Sequence, residues 1–345
     1  MQEKQCQSSD SDSIRIFMVK NTVTIGDVTT AIAPVTSVQA SGIKIAGGLV
    51  SLILDVSAVA IDERSALVSD VEARINKLSG VDQVRVMQTA ERIVPRLIAI
   101  ASGKGGVGKS TLSANLAVAM VRAGRAAGLV DADIYGPSQC RLLGMEGVKP
   151  EAADKKMFPV TGAGGVPFLS MAQLVKKDQA IAWRGPMAGN ALSQLVDAHW
   201  GATRDLIVDM PPGTGDIQLS MVQKHKPIGA VIISTPQDLA LMDAMRAISF
   251  FDQAKVPIIG IVENMSGYIC PSCGDVSNPF GAGGAQAAAQ ELDIPFLGSI
   301  PLDIAIRHAS DEGLPPALGE GPISDAYADI ARRVAAWVDN QRNPV

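Results

Sequence analysis

Residues 103–110 read Gly103-Lys104-Gly105-Gly106-Val107-Gly108-Lys109-Ser110, a match to G-x-x-x-x-G-K-[ST]. That pattern has mechanical meaning where it joins a buried strand to a helix. Both flanks are present: the apolar run Leu97–Ala101 precedes it, and an Ala-rich helical stretch follows through Arg122, with Gly124 at its end. The glycines let the backbone curl so that several N–H groups face one point, and the helix N-terminus adds positive potential there. Such a turn demands an α/β architecture with a phosphate site at the carboxyl end of a strand. In this pattern Lys109 reaches the β- and γ-phosphates and the Ser110 hydroxyl ligates Mg2+, with Thr111 completing the nucleotide-binding segment.

The rest of the chain supplies the strands that this turn requires. Ala127–Val130, Leu206–Val208, Ala230–Ser234 and Pro257–Val262 are short apolar runs bounded by turn residues, and helical stretches at 187–199 and 238–253 lie between them. Helix-spaced Ile323, Tyr327, Ile330, Val334 and Val338 close the chain. The alternation predicts a P-loop NTPase fold over 91–345, a doubly wound, mostly parallel sheet. A second, smaller α+β domain is expected over 14–90: runs at Ile14–Val19 and Leu49–Val56, a helix carrying Leu67, Val71, Ile75 and Leu78 up to Gly80, then a strand through Val81, Val84 and Val86. Residues 1–13 are polar and read as a disordered tail without the apolar core of a secretory signal.

Mg2+ and nucleotide charge call for acidic groups at strand ends, and Val130-Asp131-Ala132-Asp133 and Ile207-Val208-Asp209 provide them. Asp209 reads as the Walker-B-type acid that holds Mg2+ through water; Asp131, a further Mg2+ donor, and Asp133 lie on the other switch loop. A strand-end Asp can instead merely cap the turn that follows. The glycines of Pro211-Pro212-Gly213-Thr214-Gly215-Asp216 give that loop the freedom to order around a γ-phosphate.

With 30 Lys+Arg against 35 Asp+Glu, a net charge of −5, the chain has no diffuse positive field for nucleic acid or an anionic membrane. Neither is expected as a partner. Four cysteines are too few for a disulfide framework in 345 residues, so a reducing, cytoplasmic setting is expected. Cys270 and Cys273 form a C-x-x-C pair in a glycine- and proline-bounded loop, whereas Cys6 sits in the tail and Cys140 reads as a small buried hydrophobe. Two thiols are half a ligand set for an iron–sulfur cluster or a zinc ion, and a second copy of the chain across a two-fold axis can supply the other half. A dithiol redox pair is the third reading. His199, His225 and His308 show no metal-ligand spacing.

Lys104 stands at the position that marks the deviant Walker A ATPases. Together with Asp209-Met210-Pro211-Pro212-Gly213-Thr214-Gly215-Asp216, Trp183-Arg184-Gly185-Pro186-Met187 and Cys270-Pro271-Ser272-Cys273, it makes residues 96–340 resemble the Mrp-type iron–sulfur cluster carriers. The first domain resembles, more distantly, the MIP18-like domain of bacterial members; it has no Asp-Pro-Glu run and no internal cysteine. The resemblance implies a homodimer that binds a [4Fe–4S] cluster between subunits and passes it to apo-proteins, with slow ATP hydrolysis. It further implies that Lys104 reaches the partner's nucleotide, that Lys109 and Asp133 act in catalysis with Asp133 orienting water, and that Asn264 and the Pro301-Leu302-Asp303 segment contact adenine. A positioning or partition ATPase with a structural zinc at the C-x-x-C is the alternative, opposed by the lack of a basic amphipathic C-terminal helix. A small-molecule kinase is a weaker third.

Overall fold

The computed structural model describes residues 23–35, 39–56, 59, 61–89, 93–153, 155–174, 185–270 and 272–341. The tail with Cys6, the expected strand Ile14–Val19, and Trp183 and Arg184 lie outside the described residues. The chain divides into residues 1–92 and 93–345.

The first unit comprises α1 (Ile25–Ile32), β1 (Gln39–Ala46), β2 (Leu49–Asp55), α2 (Ile61–Ile75) and β3 (Gln83–Thr89). β1 and β2 pair antiparallel around Gly47-Gly48, both at positive φ, the backbone that a two-residue hairpin turn requires. β3 returns parallel to β2 after α2. Alternation along β2 buries Val50, Leu52 and Leu54 against Val28 and Ile32 of α1 and Val71 and Ile75 of α2. Sequence periodicity missed α1, although Thr24 and Asp27 form a reciprocal capping box, with Asp27 N–H donating to Thr24 Oγ1 at 3.2 Å and Thr24 N–H to Asp27 Oδ2 at 2.9 Å.

The second unit runs β4 (Arg96–Ala101), α3 (Lys109–Arg122), β5 (Ala127–Asp131), α4 (Gln139–Leu142), a two-residue ribbon β6 (Ala152–Ala153) and β7 (Lys156–Met157), then β8 (Val160–Thr161) and β9 (Pro167–Ser170). It continues with α5 (Gly185–Val196), β10 (Asp205–Asp209), α6 (Asp216–His225), β11 (Gly229–Ser234), α7 (Asp238–Gln253), β12 (Ile258–Ile269), β13 (Val276–Ser277), α8 (Gly284–Glu291), β14 (Phe296–Leu302), α9 (Ile304–Asp311) and α10 (Pro322–Asn340). Nine strands form one sheet in the order β13-β12-β11-β4-β10-β5-β9-β8, with β14 also on β12. Only β8 and β13 pair antiparallel within it. This is the α/β P-loop NTPase fold expected from the sequence.

Both faces of the sheet are covered, which is why its central strands read as unbroken apolar runs. Ile98 and Ile100 of β4 point toward Leu112, Leu116 and Met120 of α3 and Tyr327, Ile330 and Val334 of α10. Leu97, Ala99 and Ala101 face the opposite layer of α5, α6, α7 and α8, with Leu192, Met221, Phe251 and Ala285. β9 and β14 escaped the sequence reading because each is short or interrupted, β9 beginning at Pro167 and β14 containing Gly298 and Pro301. β12 continues past the expected Val262 to Ile269, through a register shift between Asn264 and Tyr268 and a positive φ at Met265.

At the opposite end of the sheet from the glycine-rich turn, the buried Asp205 carboxylate holds two arginines, Arg96 on β4 and Arg125 before β5; Arg125 also pairs with Asp339 of α10 at 2.8 Å. Replacing Asp205 by Asn removes the counter-charge of the partly covered Arg96 and leaves Arg125 with Asp339 alone. Urea unfolding of Asp205→Asn is expected to show a loss of about 2 kcal/mol, between the exposed and fully buried limits for ion pairs.

Candidate functional site

The site is assembled where β4, β5 and β10 end, because parallel strands deliver all their carboxyl ends to one edge. Register sets Asp209 of β10 beside Asp131 of β5 and Ile100 of β4. The turn after β4 curls through Gly106 and Gly108, at φ +80° and +88°, into α3. Its first glycine is confined from outside: a Cβ on Gly103 would stand 1.9 Å from the Asp243 carbonyl oxygen of α7.

Lys109, buried at the first turn of α3, points its ammonium into the acids. It pairs closely with Asp209 Oδ1 and stands 3.5 Å from Asp133 Oδ2 and 3.4 Å from the Ser110 hydroxyl. Burial works against that charge, but the carboxylates of Asp209, Asp133 and Asp131 outweigh it and raise the Lys109 pKa. Asp131 is fully buried. Its burial and the neighbouring Asp209 charge push its pKa up to about 7, against the opposing pull of the Gln139 N–H, the Ser170 hydroxyl and Lys109. Asp133 Oδ1 accepts from the backbone N–H groups of Tyr135 and Gly136, both at 3.2 Å, which fixes the start of the loop after β5.

Three carboxylates around one ammonium leave negative charge in excess beside the Ser110 hydroxyl, hard oxygen chemistry of the kind that suits Mg2+, although no three His, Cys, Asp or Glu among the described residues are grouped to ligate a metal directly. The chemistry of these donors fits a hydrated ion held through its waters. The loop after β10 docks on the same turn, its Gly213 N–H donating to the Ser102 carbonyl at 3.0 Å.

Sequence reasoning missed Gln139, Ser113 and Ser170. Ser113 Oγ lies 3.2 Å from Asp209 Oδ1 and could have been found four residues after Lys109 on the same helix face. Gln139 Nε2 donates to Asp209 Oδ2 at 2.8 Å and the Ser110 carbonyl at 3.0 Å, while Ser170 Oγ donates to Asp131 at 2.8 Å. Their spacings from the glycine-rich turn carry no local signal, since the chain returns to it from other strands. Lys104 is half-buried, and its ammonium has no ion-pair partner among the described residues.

Beside the turn lies a cavity of about 400 Å³, bordered by Gly108, Thr111, Arg141, Asn264, Pro301 and Asp303 among others. Asn264, Pro301 and Asp303, far apart in sequence, thus meet the glycine-rich turn at one opening. Asn264 lies within β12, not at a strand end as its sequence context suggested, and its Nδ2 donates to the Val107 carbonyl at 2.8 Å. One Asp303 oxygen caps α9 by accepting from Ala305 N–H at 2.7 Å.

Cys270 follows β12 directly, at the same edge of the sheet. A tight turn closed by Gly274 N–H to the Cys270 carbonyl (2.8 Å) and Cys270 N–H to the Asp275 carbonyl (2.9 Å) leads into β13. Cys270 is half-buried and Cys273 exposed. Backbone N–H groups of Cys273 and then Ser272 lower the Cys270 thiol pKa, favouring the thiolate that binds metal. Cys140, half-buried in α4, has its thiol pKa raised chiefly by burial. His199 stacks on Phe158 at 4.8 Å, His225 Nε2 lies 3.1 Å from Ser193 Oγ, and His308 is exposed beside Arg307.

A family model described as ParA, the NUBPL iron-transfer P-loop NTPases, matches residues 93–335. The iron-sulfur cluster carrier protein of Synechocystis is 42% identical over 317 residues, 86% of this chain and 90% of that protein. The mitochondrial iron-sulfur protein required for NADH dehydrogenase of Arabidopsis thaliana is 46% identical over 73% of this chain and 82% of its own. Among solved structures, the nucleotide-binding protein of Archaeoglobus fulgidus in complex with ADP aligns with a TM-score of 0.58 and 37% identity, covering 65% of this chain and 89% of that one.

Gly108 offers a test of the site's geometry. A Cβ there would lie 2.1 Å from Asn264 Nδ2 on a backbone at φ +88°. Calorimetric titration of Gly108→Ala with ADP is expected to show affinity reduced about tenfold or more, from left-handed strain and displacement of Asn264, with a cooperative thermal transition retained.

Proposed function

Because the chain belongs to the ParA-type family of NUBPL iron-transfer P-loop NTPases, we propose that it is an ATP-hydrolysing iron–sulfur carrier that holds a [4Fe–4S] cluster between two copies of itself and delivers it to apo-proteins. The observation that carries this reading is the placing of the two centres: the glycine-rich turn after β4 and the C-x-x-C turn after β12 open on the same edge of one sheet. Two copies meeting edge to edge bring two nucleotide sites and four thiols to one two-fold axis. Cys270 and Cys273 of each copy then complete the four-thiolate set that a cluster takes. Exposure of Cys273 keeps the cargo within reach of an acceptor.

On the nucleotide side, the backbone N–H groups of 103–110 and the N-terminus of α3 receive the phosphates. Lys109 exchanges its carboxylate partners for β- and γ-phosphate oxygens, and Lys104 reaches the nucleotide of the other copy. Asp133 orients the attacking water, while Asn264 and the segment through Pro301 and Asp303 receive the adenine. Ser110, Asp209 and Asp131 would hold Mg2+, which would supply charge neutralisation at the transferring phosphate. Asn264 and Cys270 belong to one strand and its end, so nucleotide contacts at the first bear on the geometry of the second. The unit over 14–90 is an accessory domain in this reading, its described residues holding no cysteine.

No helix among the described residues is long and apolar enough to cross a membrane. The thiols call for a reducing compartment, which we take to be the cytoplasm; the plant relative is mitochondrial by name.

Anaerobic reconstitution with iron and sulfide tests the carrier reading. Wild type is expected to hold one cluster per dimer and yield it to an apo-acceptor, and Cys270→Ala and Cys273→Ala to hold none; zinc alone, or empty thiols with ATP hydrolysis intact, overturns it. For the nucleotide side, Lys109→Ala and Asp133→Ala are each expected to lower kcat for ATP about 100-fold or more in a phosphate-release assay.

A further inference from the structure

Gln139 is hydrogen-bonded to two of the three carboxylates of the acid cluster, Asp131 and Asp209. It is wholly buried at the start of α4. Its backbone N–H donates to Asp131 Oδ2 at 3.1 Å, and its side-chain Nε2 donates both to Asp209 Oδ2 at 2.8 Å and to the carbonyl of Ser110 at 3.0 Å. Among the described residues only Gln139 is hydrogen-bonded to both fully buried aspartates, Asp131 and Asp209. The amide cannot be turned over, because both Nε2 partners are acceptors and an oxygen in that place would face a carboxylate and a carbonyl.

Fixing Nε2 leaves Oε1 buried without a hydrogen-bond partner among the described residues. A buried unmet acceptor is unusual and marks a place for a donor that the chain itself does not supply, a water or the water shell of an ion. Next to a hard oxygen donor set, the fitting donor is a water of a hydrated divalent cation. Mg2+ keeps several waters when it binds, and groups that bond to its ligands hold them in place.

We propose that Gln139 is a positioning residue for the metal: it holds the Asp209 carboxylate and the Ser110 turn in the arrangement that receives hydrated Mg2+, and offers Oε1 to the ion's water shell. The inference rests on the nucleotide–metal reading above and assigns Gln139 no contact with the reacting phosphate. Through its backbone bond to Asp131 and its side-chain bond to Asp209, the same residue joins the end of β5 to the end of β10, so metal arrival tightens both.

Mn2+ serves as the probe, with free ion read by electron paramagnetic resonance and ADP affinity by calorimetry in Mn2+ and in EDTA. Gln139→Leu removes donor and acceptor at similar volume. It is expected to weaken Mn2+ binding in the presence of ADP about 10- to 100-fold, and to lower ADP affinity by a larger factor in Mn2+ than in EDTA. Wild-type Mn2+ affinity in Gln139→Leu overturns the inference. So does an equal loss with and without metal, which marks a packing residue. Failure of wild type itself to bind ADP more tightly with Mn2+ overturns the nucleotide–metal reading instead, so the two failures are distinct. Gln139→Asn, shorter by one methylene, carries the same comparison if the Leu variant loses its cooperative thermal transition. Amide exchange in unmodified protein needs no variant: residues 131–142 are expected to gain protection with ADP and Mg2+ over ADP in EDTA, and no difference overturns the proposal.

Discussion

The buried pairing of Lys109 with Asp209 is the interaction on which the site depends. An ammonium at 6% exposure is tolerated only because carboxylates surround it, and carboxylates so packed are tolerated only because an ammonium stands among them. Each side of the arrangement is costly alone. Together they hold the glycine-rich turn, the end of β5 and the end of β10 in fixed relation, since Lys109 comes from the first and its acids from the other two. A polyanion can then enter by exchanging partners within a network that already has the right charges in the right places.

That network is built by topology. β10 is inserted between β4 and β5, which are consecutive in sequence, and its register places Asp209 level with Asp131. A one-residue slip would turn one of the two carboxylates to the opposite face of the sheet. Two apolar layers prevent the slip, because the residues before Asp209 alternate between them: Ile207 packs with the α3 and α10 layer, Leu206 and Val208 with the α5 to α8 layer. The core thus fixes the acid geometry without touching it.

The parts legible in the sequence were those with a local signature. The glycine-rich turn, the strands flanking it and the helix over Asp238–Gln253 announce themselves through spacing alone, and Asp131, Asp133 and Asp209 stand at the ends of apolar runs. What escaped depends on contacts between distant segments. Gln139 has no pattern of its own; it matters because a short helix after β5 returns its amide to Asp209, seventy residues on. β14 is masked by Gly298 and Pro301, and the extension of β12 by a bulge at Met265, features that read as turn signals yet sit where two strands still pair. The capping box at Thr24 and Asp27 was local and readable, but hydrophobic period alone does not look for it.

The closeness of α7 to Gly103 bears on how this position is to be understood in any comparison of sequences. The space for a side chain there is occupied by the Asp243 carbonyl, a backbone atom that cannot rotate away. Glycine at 103 is thus required by a neighbouring helix of the protein itself, independently of whatever the turn binds. A chain that had abandoned nucleotide altogether, yet kept α7 where it is, would still be held to glycine at that place, and the motif would outlive the activity it is taken to announce.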